Sequence, residues 1–254
     1  MRICRVAWND DVHFGVIEGD AVALLTSHPF GPFEPDGRVL PLSQVRLISP
    51  VLPSKIVAVG KNYLDHVREM GGDAPPAEPM IFLKPSTSVI GPGDPILLPW
   101  QSEQVEHEAE LAVVIGRLCR DVPESLVDDV VLGYSCANDV TARDLQRTDG
   151  QWGRAKGFDS FCPLGPWIET TLDIDDAVVE CRVNGDLRQS ATGADMVRSP
   201  RELVSWISSV MTLLPGDVIL TGTPAGVGPL APGDEVSVTI GGVGTLTNTV
   251  VDRG

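Results

Sequence analysis

Short stretches of alternating apolar and polar residues dominate this chain. Residues 3–6, 14–17 and 21–25 read as strands. Val236, Val238 and Ile240 alternate with polar neighbours before Gly241-Gly242 turns the chain. Leu111-Ala112-Val113-Val114-Ile115 is an unbroken apolar run. Pro-Gly-Asp occurs at 92–94, 215–217 and 232–234, each time just before apolar residues. Pro suits the second position of a turn and Gly a positive φ at the third, so these are turns feeding strands. Two helices stand out. Pro123 opens one, with Leu126, Val127, Val130 and Val131 on one face and Gly133 as its stop. Ser199-Pro200-Arg201-Glu202 is a capping box. After it, Leu203, Val204, Ile207, Val210, Met211 and Leu214 form a buried stripe.

A Pro/Gly-rich stretch covers 28–37, and residues 45–50 read as a linker. A boundary near residue 50 follows, with a small N-terminal β domain over 1–50 and the main body over 51–254. The 254 residues suffice for one large domain with an appendage. A hydrophobic content of 43% supports a substantial core, while 26 Gly and 21 Pro favour turns and strands over a helical bundle.

Charge and cysteine usage narrow the partners. Lys and Arg total 19 against 35 acids, a net charge of −16. Such a chain repels nucleic acid and anionic membranes, so an anionic substrate needs a local positive site. The N-terminus carries no apolar signal region, and no run approaches the ~20 apolar residues of a membrane span. Five scattered cysteines (4, 119, 136, 162, 181) with no CxxC indicate neither disulfides nor zinc. Each is expected to be a small buried apolar residue, in a reduced, cytoplasmic setting.

Candidate chemistry centres on His107-Glu108-Ala109-Glu110-Leu111. In a strand Glu108 and Glu110 share a face, with Cα atoms about 6.6 Å apart. Two acids at the mouth of an apolar strand are costly unless a cation holds them. An all-oxygen set favours Mg²⁺, Mn²⁺ or Ca²⁺ over Zn²⁺. The competing reading is the solvent face of an amphipathic strand. Glu106 shares that face, which leaves the choice of pair open; His107 points the other way, as a packed or surface histidine. Asp139, beyond the apolar run 130–134, is a candidate third acid.

Three further segments carry candidates. Asn62 is placed to cap a short helix that Gly71 ends, with His66 and Glu69 on one face at i, i+3. That spacing makes either a general-base dyad or a surface ion pair. The following 74–79 segment suits a lid. Between 143 and 156 lie Arg143, Arg147, Arg154 and Lys156 with two acids, either a carboxylate receptor or a solvated loop. Thr221-Gly222-Thr223-Pro224 follows a strand and either binds a carboxylate or is an ordinary turn.

Together these motifs resemble the fumarylacetoacetate hydrolase family. The matching signatures are Gly60-x-Asn62-Tyr63-x-x-His66-x-x-Glu69, His107-Glu108-Ala109-Glu110-Leu111, the segment from Asn138-Asp139 through Arg143 to Gln146, Lys156-Gly157-Phe158-Asp159, and Thr221-Gly222-Thr223-Pro224. They occur in family order over roughly 55–230. The resemblance implies an α+β, predominantly β fold with a mixed β-roll catalytic domain that usually forms a homodimer. It implies Mg²⁺ (or Mn²⁺) held by Glu108, Glu110 and Asp139. It places His66 and Glu69 on a closing lid and Lys156 beside metal and substrate. Asn62, Tyr63, Arg143, Gln146, Gly222 and Thr223 become substrate-binding candidates, with Thr223 on the substrate carboxylate. The implied substrates are 2-oxo acids and their enols, commonly dicarboxylic, handled through a metal-stabilised enolate. Isomerisation or decarboxylation of the 2-hydroxyhepta-2,4-diene-1,7-dioate type is the leading expectation. Acylpyruvate or fumarylpyruvate hydrolysis and oxaloacetate decarboxylation are alternatives. A non-catalytic metal- and carboxylate-binding protein on the same scaffold is a third.

Overall fold

Every residue of the strand Ala109–Ile115 is at most 1% exposed in the computed structural model, which describes residues 1–252. Val131–Asn138 pairs antiparallel along one edge of that strand and Val218–Leu220 along the other. Ala112 and Val114 enter a core with Ile56 and Ala58 on one face. Val113 and Ile115 enter another with Leu203, Val204 and Ile207. A strand covered on both faces gains from apolar side chains at every position, which accounts for the unbroken run. Ile56–Gly60, parallel to Val218–Leu220, and then Met80–Lys84 extend the sheet to its edge. The whole is α+β and predominantly β, with described strands in sheets of twelve, three and five.

The N-terminal strands appear where the alternation predicts them, at Arg2–Trp8, Asp11–Glu18 and Ala21–Leu25. They continue the large sheet through Arg2↔Glu169 and Ile3↔Ile168, and enclose their own core of Cys4, Val6, Ile17, Val22 and Leu24. Residues 45–50 are not simply a linker. Arg46–Ile48 pairs antiparallel with Arg2–Trp8, and Val45 and Leu47 pack on the N-terminal core. Likewise the end of the Pro/Gly stretch belongs to a strand, Pro35–Pro41, on the edge where proline is tolerated.

The three Pro-Gly-Asp turns share one construction. Gly93, Gly216 and Gly233 all have positive φ, at 76°, 85° and 90°. In each turn the aspartate carboxylate accepts the backbone N–H three residues earlier: Gly91 to Asp94 at 2.9 Å, Leu214 to Asp217 at 2.8 Å and Ala231 to Asp234 at 2.8 Å. The repeated tripeptide thus supplies both the left-handed residue and the cap.

The helix predictions divide. Ser199 and Glu202 form the reciprocal capping box of the helix Pro200–Val210, and Leu203, Val204 and Ile207 are buried. Val210 and Leu214 are 49% and 38% exposed, because the helix ends at Val210 and the chain beyond it is extended. The segment after Pro123 is only a 3₁₀ helix, Glu124–Asp129. Val131 begins a strand and Gly133 lies within it, pairing with Val114, so Gly133 stops no helix. Its role is close approach: a Cβ at Gly133 would meet the Glu169 carbonyl oxygen at 2.4 Å and Ile168 Cγ2 at 2.7 Å. Gly133→Ala is therefore expected to cost about 1–3 kcal/mol in thermal unfolding. A loss below about 0.5 kcal/mol, the range of an ordinary surface change, would contradict this packing.

All five cysteines are buried and free, and burial pushes the thiols of Cys4, Cys136, Cys162 and Cys181 up to about 12. No described helix is long and apolar enough to cross a membrane.

Candidate metal and substrate site

The register Ala109↔Asn138 decides which acids meet. It sets Asp139, just past the end of its strand, beside Glu108. Asn138 Oδ1 accepts the Glu108 N–H at 2.9 Å, and Asp139 donates its N–H to the Glu108 carbonyl at 2.8 Å. The strand Val218–Leu220 delivers the next loop to the other side. Thr221 donates its N–H to Leu111 O, and Gly222 donates its N–H to Glu110 Oε2 at 2.6 Å. Gly222 has φ 97°, and a Cβ there would meet Asn62 Cβ at 2.7 Å. The outcome is a buried triad, Glu108, Glu110 and Asp139, whose ligand oxygens all lie within 4.8 Å of one another.

Glu106 is set apart from this triad. Arg143, from the helix Arg143–Asp149, donates Nε to Glu106 at 2.7 Å and Nη2 to Glu108 at 2.6 Å. His107 faces the opposite way, as the alternation requires. It is 1% exposed, with Nδ1 3.0 Å from Gln189 Oε1, and burial lowers its pKa.

Two lysines compensate the acids. Lys156 Nζ bridges Glu108 at 2.6 Å and Asp139 at 2.7 Å, while the fully buried Lys84 donates to the other Asp139 oxygen. Burial alone would raise Glu108, but Lys156, Arg143 and His66 outweigh it and hold this carboxyl well below the usual range. Burial would lower Lys156, yet Asp139 and Glu108 hold it up. Glu110 behaves oppositely. Burial, then the charges of Asp139 and Glu108, push it well above 4.5 despite Lys156 and the Gly222 N–H.

The triad suits a hard divalent cation. It offers only carboxylate oxygens, and Glu110 has no ion-pair partner among the described residues. Counting Glu106, four acids face three cations (Lys84, Arg143, Lys156), leaving the cluster one charge negative when all are ionised. A divalent ion would turn that deficit into a single positive charge, suited to an anionic ligand.

The triad opens onto a cavity of about 210 Å³, which His66, Arg143, Gln146, Lys156 and Thr223 also line. His66, on the helix Leu64–Glu69, is 6% exposed. Its Nδ1 lies 3.0 Å from Glu69 Oε2, while Glu69 Oε1 accepts the Gly226 N–H at 2.9 Å. The pair is thus fixed at both ends.

Three predicted substrate contacts, Asn62, Tyr63 and Gly222, are not among the residues that line the cavity. Asn62 is a structural staple: Nδ2 donates to Arg198 O and Thr221 O, and Oδ1 accepts the Arg198 N–H. Tyr63, not Asn62, occupies the cap position of the His66 helix. Tyr63 is 2% exposed, and its hydroxyl is the one fully buried side-chain polar atom without a partner among the described residues. Thr223 reaches the cavity, but its hydroxyl already donates to Ala109 O at 2.8 Å and accepts from Gln189 Nε2 at 2.7 Å.

Sequence reasoning missed Lys84 and Gln189. Lys84 ends the apolar strand Met80–Lys84, so a charge closing an apolar run was its one signal. Gln189 lies some eighty residues from the His107 and Ala109 it binds, and nothing local marks it.

Comparison with known proteins bears on this geometry. A family model described as Fumarylacetoacetate (FAA) hydrolase C-terminal matches residues 55–251, and one described as Rv2993c-like, N-terminal matches residues 1–50. The crystal structure of 2-hydroxyhepta-2,4-diene-1,7-dioate isomerase from Mycobacterium marinum is similar at 50% identity and TM-score 0.93, covering 100% of this chain and 99% of that one. The mitochondrial oxaloacetate tautomerase Fahd2a of Rattus norvegicus is 43% identical over 84% of this chain and 72% of its own. Maleylpyruvate hydrolase from Sphingobium sp. SYK-6, in complex with manganese(II) and pyruvate, superposes with TM-score 0.83 at 34% identity over 100% of both chains. The chain belongs to the fumarylacetoacetate hydrolase family.

Proposed function

We propose that this protein is a divalent-metal-dependent enzyme that moves a proton at the carbon beside the 2-oxo group of small 2-oxo or 2-enol acids. Isomerisation of the 2-hydroxyhepta-2,4-diene-1,7-dioate type is the preferred reaction, with decarboxylation where a carboxylate departs instead. The observation that carries this reading is the buried Glu108, Glu110 and Asp139 triad opening onto the same small cavity as His66. Mg²⁺ or Mn²⁺ held by these three residues would supply Lewis-acid stabilisation of negative charge on the substrate oxygens.

The other steps fall to the chain itself. His66 takes and returns the proton, with Glu69 fixing its ring through Nδ1. Lys156 and Arg143 hold Glu108 ionised and set its orientation. Gln146, which accepts from Arg143 Nη1 at 2.7 Å, orients substrate at the cavity wall. The similarity to an isomerase and a tautomerase supports proton transfer as the core step. The fixed His66–Glu69 pair also favours a second reading, activation of water for C–C hydrolysis of acylpyruvate-type substrates.

We expect a cytoplasmic homodimer. Purified protein supplied with Mg²⁺ or Mn²⁺ should turn over at least one of oxaloacetate, an acylpyruvate or a hydroxymuconate-type diene above the ion-only background. No turnover across that panel would remove the enzymatic reading and leave a carboxylate-binding protein.

A further inference from the structure

Lys61 stands apart from the other charged residues of the cavity wall. Four cations line the cavity: Lys61, Arg143, Arg147 and Lys156. Arg143 and Lys156 are bonded to the acids. Arg147 donates to the Gln104 amide at 2.7 Å and is largely exposed. Lys61 is half-buried and has no hydrogen-bond or ion-pair partner among the described residues. A cavity-wall cation with no acid of the chain to neutralise it, although acids far outnumber cations, is free to meet an anionic ligand.

Its backbone is equally distinctive. Lys61 has φ 61°, the left-handed region, directly between the strand Ile56–Gly60 and the helix Leu64–Glu69. Glycine or asparagine would hold that conformation at lower cost. The conformation is enforced by neighbours. Asn62 is stapled to Thr221 O and to both backbone groups of Arg198, and Met80 pairs with Gly60. Unfavourable backbone geometry held in place from both sides, at a cavity, marks a residue fixed for a purpose.

The charge balance of the wall says what that purpose is. Adding Lys61 and Arg147 to the cluster of four acids and three cations turns its one negative charge into one positive charge, and a divalent ion raises this to three. A monoanion answers only part of that charge, whereas a dianion with its acid groups at opposite ends spans it. We infer that Lys61 is a specificity-determining residue that receives the second carboxylate of a dicarboxylic 2-oxo acid bound with its 2-oxo end at the triad. This deepens the proposed function and rests on its 2-oxo acid reading. It adds the residue that sets a preference for dioates over monoacids.

Calorimetric binding in the presence of Mn²⁺ tests it, with pyruvate as the monoacid and oxaloacetate and 2-oxoglutarate as dioates. The wild-type protein should bind at least one dioate about 10–100-fold more tightly than pyruvate, the range of one charge-assisted hydrogen bond. Lys61→Asn removes the charge while tolerating positive φ, and Lys61→Met keeps the length of the stem. Both should bring the dioate-to-pyruvate ratio to within about twofold of one, and Lys61→Arg should largely retain it. An unaltered ratio in Lys61→Asn, or no dioate preference in the wild-type protein, overturns the assignment. So does an equal loss for pyruvate and dioates in both neutral variants, since that marks a structural residue. The two readings fail separately. A Lys61-dependent preference without turnover of any 2-oxo acid removes the enzymatic reading alone, while turnover with a Lys61-independent ratio removes this one alone.

Discussion

Replacing Glu110 by Gln is expected to abolish divalent-ion binding, cut turnover by well over about 10²-fold, and make the ion-free protein more stable. The opposite signs come from one environment. Glu110 is 1% exposed, faces Asp139 and Glu108, and its carboxyl is pushed well above 4.5 by burial first and by those two charges next. Gln keeps the shape and still accepts the Gly222 N–H, but brings no charge into the cluster. In the ion-free wild type the folded chain holds this proton more tightly than the unfolded one. Stability therefore falls as pH rises above 4.5 towards the raised folded value, and Gln removes that slope. A bound ion reverses the balance in the wild type, adding about 2.7 kcal/mol at a hundredfold excess over its dissociation constant. Thermal unfolding with chelator and with MnCl₂, at pH 6 and pH 8, reads both effects. An ion-dependent gain in Glu110→Gln equal to that of the wild type would exclude this carboxylate as a ligand.

His66→Ala has the second largest expected effect. If His66 carries the proton at the carbon beside the 2-oxo group, its loss should slow deuterium exchange there by roughly 10²–10⁴-fold, the range of a positioned general base. Any C–C cleavage should fall in the same measure. The triad is untouched in this variant, so ion binding should persist. Glu69→Gln should be milder, since Glu69 orients the ring through a 3.0 Å contact and moves no proton itself. Exchange that survives while cleavage disappears would shift the assignment to hydrolysis. Wild-type rates for both in His66→Ala would dismiss the dyad.

Local signals in the sequence were reliable where one rule acted alone. The capping box at Ser199, the three Pro-Gly-Asp turns and the i, i+3 placement of His66 and Glu69 all appear as read. The i, i+2 acids also converge, but spacing alone could not choose among Glu106, Glu108 and Glu110. That choice belongs to Arg143, which draws Glu106 away, and to the register that brings Asp139 to Glu108. Failures occurred where tertiary packing overrides local pattern. Gly133 resembles a helix stop because glycine ends helices, yet it is required by the neighbouring backbone of Glu169. Asn62 resembles a cap or a ligand because its amide is versatile, yet that amide ties two distant loops together. Lys84 and Gln189 reach the site through sheet pairing alone.

Deuterium exchange at C3 of 2-oxo acids, followed by NMR with oxaloacetate and 2-oxoglutarate, tests the central claim most directly. It reads the proposed proton transfer whether or not a bond is later cleaved. Wild-type protein with Mn²⁺ should exchange at least one of these acids well above the ion-only background. Chelator should remove that exchange, as should Glu110→Gln at the same ion concentration. Exchange no faster than background at saturating ion, or exchange indifferent to both chelator and Glu110→Gln, would contradict a metal-dependent enolising site at Glu108, Glu110 and Asp139.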